Sequence, residues 1–241
     1  MNGAYKVTTI AGIQIYVHYT WLFAFIFITW TLAASWFPSD YPDWSKPAYF
    51  ATAIVASLLL FGSIVVHELA HSLVALGRGM RVRSITLFIF GGVSDIGGDT
   101  KSPRDEFQIA IVGPLSNLCL SILGGLALSM GVGMVDSPVY AILVYFTLMN
   151  LLVGVFNLLP GFPLDGGRVL RSIVWVTTKD DDRATGVSTA VGIGFGWLLV
   201  GAGVFMAITS DVISGLWLGF IGWYLKNSAA SIRTAYRRNE R

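Results

Sequence analysis

Six apolar runs, each about as long as or longer than the 20 or so residues that a helix needs to cross about 30 Å of hydrocarbon, take up nearly three-fifths of this chain. They cover residues 19–37, 49–76, 107–134, 140–159, 184–208 and 212–232 of a total of 241. Apolar residues make up 54% and charged residues 12% of the sequence, where a soluble domain carries about 25% charged residues. Mean hydropathy is +0.68. A surface so poor in charge must face lipid. This excludes a soluble enzyme, a nucleic-acid-binding domain and a disordered regulator. The expected fold is an all-α polytopic membrane protein with six transmembrane helices and short membrane-associated β-hairpins, in a single transmembrane domain over residues 1–241.

Between the runs the pattern changes. Residues 5–17 are rich in β-branched side chains around Ala11-Gly12, which predicts two short strands and a turn. Residues 77–98 return to strand character, with Gly91-Gly92 as the expected bend. The third run carries Gly113-Pro114, read as an interruption. The last run is the weakest, because Val212–Leu225 is short unless it extends to Ile232 and Lys226 snorkels to the interface.

Charge placement tests the count of crossings independently. With the N-terminus in the cytoplasm and each run crossing once, every Lys and Arg except Lys46 falls on the cytoplasmic side. That is the positive-inside bias. It supports the weak sixth crossing, since without it the basic tail from Arg233 to Arg241 would lie outside. Both termini are expected in the cytoplasm. A lone Cys119 excludes an internal disulfide and a cysteine zinc cluster. No apolar stretch follows a basic start, so no cleavable leader is expected.

Ionisable groups inside a span are costly and therefore candidates for function. Glu68 is the one acid well inside a run, and two of the three histidines, His67 and His71, flank it in VVHELAHSLVA. Two imidazoles four residues apart lie on one helix face and can reach one metal ion. Zinc held by two histidines and a carboxylate, with one position open, is a hydrolytic arrangement. The metal lowers the pKa of its water from about 15.7 toward 7, and Glu68 can take and return the proton. His18, at the head of the first run, reads as an interfacial residue. Asp165 is the better third ligand, because Pro160, Pro163, Gly166 and Gly167 place it at a break in the chain. Non-helical backbone survives at membrane depth only when buried in protein or facing a water-filled cavity.

His67-Glu68-x-x-His71 in a span, followed by Asn157-x-x-Pro160-x-x-x-Leu164-Asp165-Gly166, resembles the site-2 protease family of intramembrane zinc metalloproteases. The resemblance extends to FGGVSDIGG and to Gly113-Pro114-Leu115-Ser116-Asn117. It implies one zinc ion held by His67, His71 and Asp165, with Glu68 as general acid/base. Asn157 would steady the substrate or the oxyanion, and Asn117 would bond between helices. The implied substrate is a membrane-anchored regulatory protein, cut in or near its transmembrane segment at the cytoplasmic side of a prokaryotic cell membrane. The expected form is a minimal core, since no loop is long enough for the PDZ insertion of some relatives and SIRTAYRRNER is too short to hold the CBS domains of others, unless a regulatory domain begins where this sequence ends.

A helical peptide bond is shielded by its own hydrogen bonds, so the substrate must unwind. The hairpin over residues 84–96 offers an edge, with Ile85–Phe90 as the expected pairing segment. The competing class is a metal channel or transporter. Such a path would repeat its polar residues over several spans or in two related halves, whereas this sequence has a single cluster and no internal repeat.

Overall fold

Ala11 and Gly12 both adopt positive φ, 51° and 82°, the backbone that a two-residue hairpin turn demands. The computed structural model, which describes residues 3–98 and 100–239, accordingly opens with β1 (Ala4–Ile10) and β2 (Ile13–His18) in antiparallel register. Helix α1 (Thr20–Thr31) continues through a π-helical turn at Leu32–Trp36 into the short α2 (Phe37–Asp40). The 32-residue α3 (Lys46–Gly77) follows, with Pro47 in its first turn, where a missing N–H costs nothing. Next come β3 (Arg81–Phe88) and β4 (Gly91–Gly97). The helices α4 (Pro103–Ser129), α5 (Pro138–Asn157), α6 (Asp165–Thr178), α7 (Asp181–Thr209) and α8 (Val212–Asn239) complete the described chain.

Five helical stretches are long and apolar enough to cross a membrane: Thr20–Asp40, Lys46–Gly77, Pro103–Ser129, Pro138–Asn157 and Asp181–Thr209. They match the first five predicted runs. The sixth, within α8, is a helix of 28 residues but does not reach that apolarity, because Lys226 and Arg233 interrupt it. Arg241, counted among the basic tail residues, lies outside the described residues. Large apolar side chains such as Phe23, Phe27, Leu123 and Leu198 are exposed on these helices, the pattern of a lipid-facing surface rather than a hydrated one.

Three features differ from the sequence reading. The two expected hairpins are present but not separate: β2 pairs in parallel with β3, so they join into one four-stranded sheet of order β1-β2-β3-β4. Pairs this distant in the chain leave no local signal. The bend between β3 and β4 falls at Ile89 and Phe90, with Gly91 already in β4. And α4 runs unbroken through Pro114, which neighbouring groups in a membrane helix can accommodate.

The chain divides into two compact units, residues 1–99 with 112–155, and residues 100–111 with 156–241. The first holds α1, α3, α5 and the sheet. Its helical core gathers Leu32, Phe37, Tyr49, Ala53, Ala56, Leu60, Ala141 and Tyr145. The sheet turns Ile13, Ile15 and Ile85 toward Val65 and Leu69 of α3, which brings β4 beside the histidine motif. The second unit is dominated by α7 against α8. There glycines let backbones meet: a Cβ on Gly203 would reach Gly215 and Gly219, and one on Gly222 would lie 2.6–2.8 Å from Gly196, Val200 and Leu199. Small residues at a helix crossing are how membrane helices gain van der Waals contact.

Backbone cannot yield as a flexible side chain can. Gly222→Val is therefore expected to cost about 1–3 kcal/mol or more, read as a lower melting temperature in detergent. Gly194→Ala, whose Cβ would meet nothing within 4 Å, is expected to leave it unchanged or raise it.

Candidate metal centre

A stripe of buried residues on α3 recurs every three or four positions: Tyr49, Thr52, Ala56, Leu60, Ser63, His67, His71 and Ala75. The histidines belong to this inward stripe, 6% and 4% exposed. Their Nε2 atoms stand 3.1 Å apart, with ring planes at 81°. Two imidazole nitrogens each about 2.0–2.1 Å from one tetrahedral zinc would lie about 3.3 Å apart. The pair thus fits zinc with little adjustment. Space at this point is kept by Gly113 of α4, where an added Cβ would overlap both Nε2 atoms.

The ring of His67 is oriented through a chain of amides. Asn150 donates from Nδ2 to the backbone carbonyl of Phe146 at 2.9 Å, an acceptor that cannot be inverted. The Asn150 Oδ1 therefore accepts from Asn117 Nδ2 at 2.9 Å, and Asn117 turns its own Oδ1 to His67 Nδ1 at 2.5 Å. Both asparagines are fully buried, 0% exposed. An oxygen at Nδ1 requires the proton there, so the lone pair is left on Nε2, the atom that faces His71. A ligating histidine commonly has its second nitrogen tied down in this way. The expected bond between helices from Asn117 is present, reaching α5. Its bond to His67 escaped sequence reasoning, since nothing local couples residues fifty positions apart.

Glu68, half-buried, points toward the sheet. Ser94 of β4 donates from Oγ to its Oε2 at 2.6 Å, and a Cβ on Gly92 would lie 2.6 Å from its Cγ. The glycine-rich β4 thus approaches the carboxylate closely and gives it a hydroxyl donor.

In the second unit, Asn157 ends α5 and Asp165 starts α6, one at each side of the 158–164 loop. Both are half-buried. The loop is packed backbone to backbone. Phe162 N–H donates to the Ser188 carbonyl at 3.2 Å, and a Cβ on Gly192 would overlap the Phe162 carbonyl. Cβ atoms on Gly166 and Gly167 would overlap Leu158, Leu159, Gly161 and Phe162 backbone. The glycines after Asp165 therefore serve close approach to this loop more than a turn. Helix α6 itself is amphipathic and only 14 residues long, too short and too polar to stand among the apolar runs.

His18 bonds to Thr20 through Nδ1 at 2.8 Å, at the head of α1 as an interfacial residue would.

A helical membrane scaffold carrying a paired-imidazole motif with an adjacent glutamate defines the class of membrane metalloproteins with a hydrolytic donor set. The chain matches Peptidase family M50 over residues 55–137 and 131–200, and it belongs to that family. It is 36% identical over 98% of its length to the Synechocystis sp. protein sll0528, of which it covers 61%. It is 35% identical over 72% of its length to zinc metalloprotease MJ0392 of Methanocaldococcus jannaschii, of which it covers 46%. Its fold is similar to that of a site-2 protease from the same archaeon, with a TM-score of 0.62 and 26% identity over 95% of both chains. The chain thus spans about three-fifths of sll0528.

Asn117→Leu removes the acceptor at His67 Nδ1. It is expected to weaken zinc binding about 10- to 100-fold, measured by competition with a chromophoric chelator.

Proposed function

We propose that this chain is an intramembrane zinc endopeptidase, one transmembrane domain over residues 1–241 that hydrolyses a peptide bond in or near the transmembrane segment of a membrane-anchored regulatory protein. The observation that carries the reading is the buried pair of Nε2 atoms 3.1 Å apart in a member of a peptidase family. His67, His71 and Asp165 are the proposed zinc ligands. Bound zinc supplies Lewis acidity, bringing the pKa of water toward 7 and polarising a carbonyl oxygen. Glu68 takes the proton of the attacking water and delivers it to the leaving amine. Ser94 holds that carboxylate in place while it is ionised. Asn157 offers amide N–H groups to the oxyanion, a contribution that grows as charge develops in a dry site.

The substrate is proposed to unwind along β4. β3 is flanked by β2 and β4, so the Ile85–Phe90 segment has no unpaired edge, and of the two strands that end the sheet, β1 and β4, it is β4 that lies against Glu68. Ile89 sits in the turn. Val93, exposed on β4, is a site from which to probe pairing. In a Cys119→Ser background, Val93→Cys is expected to crosslink to every second substrate position; crosslinks without that period would refute the pairing.

Six crossings, with α8 as the sixth, both termini in the cytoplasm of a prokaryotic cell and the site toward the cytoplasmic face, complete the proposal. The one-sided placement of Lys and Arg supports it. Reporter fusions after residues 42, 100, 135, 180, 210 and 239 should alternate between periplasmic and cytoplasmic activity.

The deciding experiment is co-expression with a panel of single-span membrane proteins, with fragments mapped by mass spectrometry. Glu68→Gln is expected to keep its zinc and lose cleavage by orders of magnitude; His67→Ala is expected to lose both. A Glu68→Gln protein that still cleaves would overturn the mechanism.

A further inference from the structure

Glu106 takes no part in the chemistry above, yet among the described residues it is the one buried acid, 3% exposed. It stands in the first turn of α4. Its Oε1 accepts from Arg168 Nε at 3.0 Å, and its Oε2 meets Arg171 Nη1 at 3.3 Å. The Thr100 hydroxyl donates to Oε2 as well. Arg171 is itself enclosed. It donates from Nε to Thr185 Oγ1 at 2.9 Å, and its guanidinium lies 5.0 Å from the Trp175 ring and 5.8 Å from the Tyr236 ring. Tyr236 in turn donates to Asp181 at 2.5 Å. One carboxylate thus joins α4 to α6, and the second arginine carries the link to α7 and α8.

Both arginines lie on α6, three and six residues after Asp165. At 3.6 residues per turn they sit about 60° and 120° round the helix from Asp165. A carboxylate bonded at two points on successive turns sets both the rotation and the axial height of α6. The setting matters because a helical side chain ends about 5–6 Å from the axis. A rotation of about 20° would move the Asp165 carboxylate about 2 Å at that radius, ten times the roughly 0.2 Å tolerance of a metal–ligand distance. The loop packing at Gly166 and Gly167 holds the first turn of α6 against the 158–164 loop, and the two arginine contacts fix the turns that follow.

We propose that Glu106 is the positioning residue of Asp165, holding α6 through Arg168 and Arg171 at the rotation that presents the carboxylate to zinc. The inference rests on the reading of Asp165 as a ligand. Chelator competition on the full chain in detergent micelles measures zinc affinity for wild type, Asp165→Ala, Glu106→Gln and Glu106→Asp. Glu106→Gln is expected to bind zinc 10- to 100-fold more weakly than wild type. With saturating cobalt(II) its visible bands should shift, because the ligand geometry has changed. Glu106→Asp, which keeps the charge but draws it back, should fall between the two. Wild-type affinity and unshifted cobalt bands in Glu106→Gln would overturn the inference even if the melting temperature drops, since Glu106 would then only join helices. Should Glu106→Gln not fold, an unchanged affinity and spectrum in Glu106→Asp would overturn it equally. Wild-type affinity in Asp165→Ala would instead overturn the ligand assignment beneath it.

Discussion

Polar atoms enclosed by hydrocarbon have no water to fall back on, so each must be answered by another group of the protein. On α3 that demand falls on two imidazoles and a carboxylate. The answer for His67 runs through Asn117 and Asn150 to a peptide carbonyl of α5, and for Glu68 through Ser94 of the sheet. These bonds account for much of what surrounds the motif. A helix bearing a buried amide must lie beside α3, a strand must come close enough to offer a hydroxyl, and the residues between them must be small. Gly113 and Gly92 are the positions where even a methyl group would collide. The same constraint orients the site, because an amide chain that ends on a backbone carbonyl has one direction and leaves His67 with its lone pair on Nε2.

In the second unit the demand is met differently. Its irregular 158–164 loop is wrapped by its own helices, with backbone groups answered locally and glycines allowing the approach. The one buried acid among its described residues is matched by two guanidiniums and a hydroxyl. Breaking such a pair leaves an uncompensated charge that costs about 3–5 kcal/mol, so the network resists displacement. Rigidity of this sort suits a helix whose first residue is a proposed ligand.

Much of the fold was legible from residue order. The spans follow from the length of apolar runs, and the first turn from Ala11-Gly12. The histidine pair follows from its four-residue spacing, which by itself puts both rings on one face. Other parts had no local signature. Helix α6 is amphipathic and short, so it stands outside the apolar runs; the β2–β3 pairing joins strands separated by two membrane helices; Pro114 bends expectation but not the helix. Asn117 was visible as a buried amide, though not as a partner of His67, and Glu106 looked like one more charge at a span end.

Sequence alone determined that this chain lives in lipid, how many apolar stretches it offers, and which residues are candidates for the chemistry, because hydropathy and helical period are properties of neighbouring residues. Tertiary structure alone decided which nitrogen of His67 keeps its lone pair, which strands end the sheet, and which arginines the Glu106 carboxylate meets. Those outcomes depend on atoms brought together from positions dozens of residues apart, and packing chooses them.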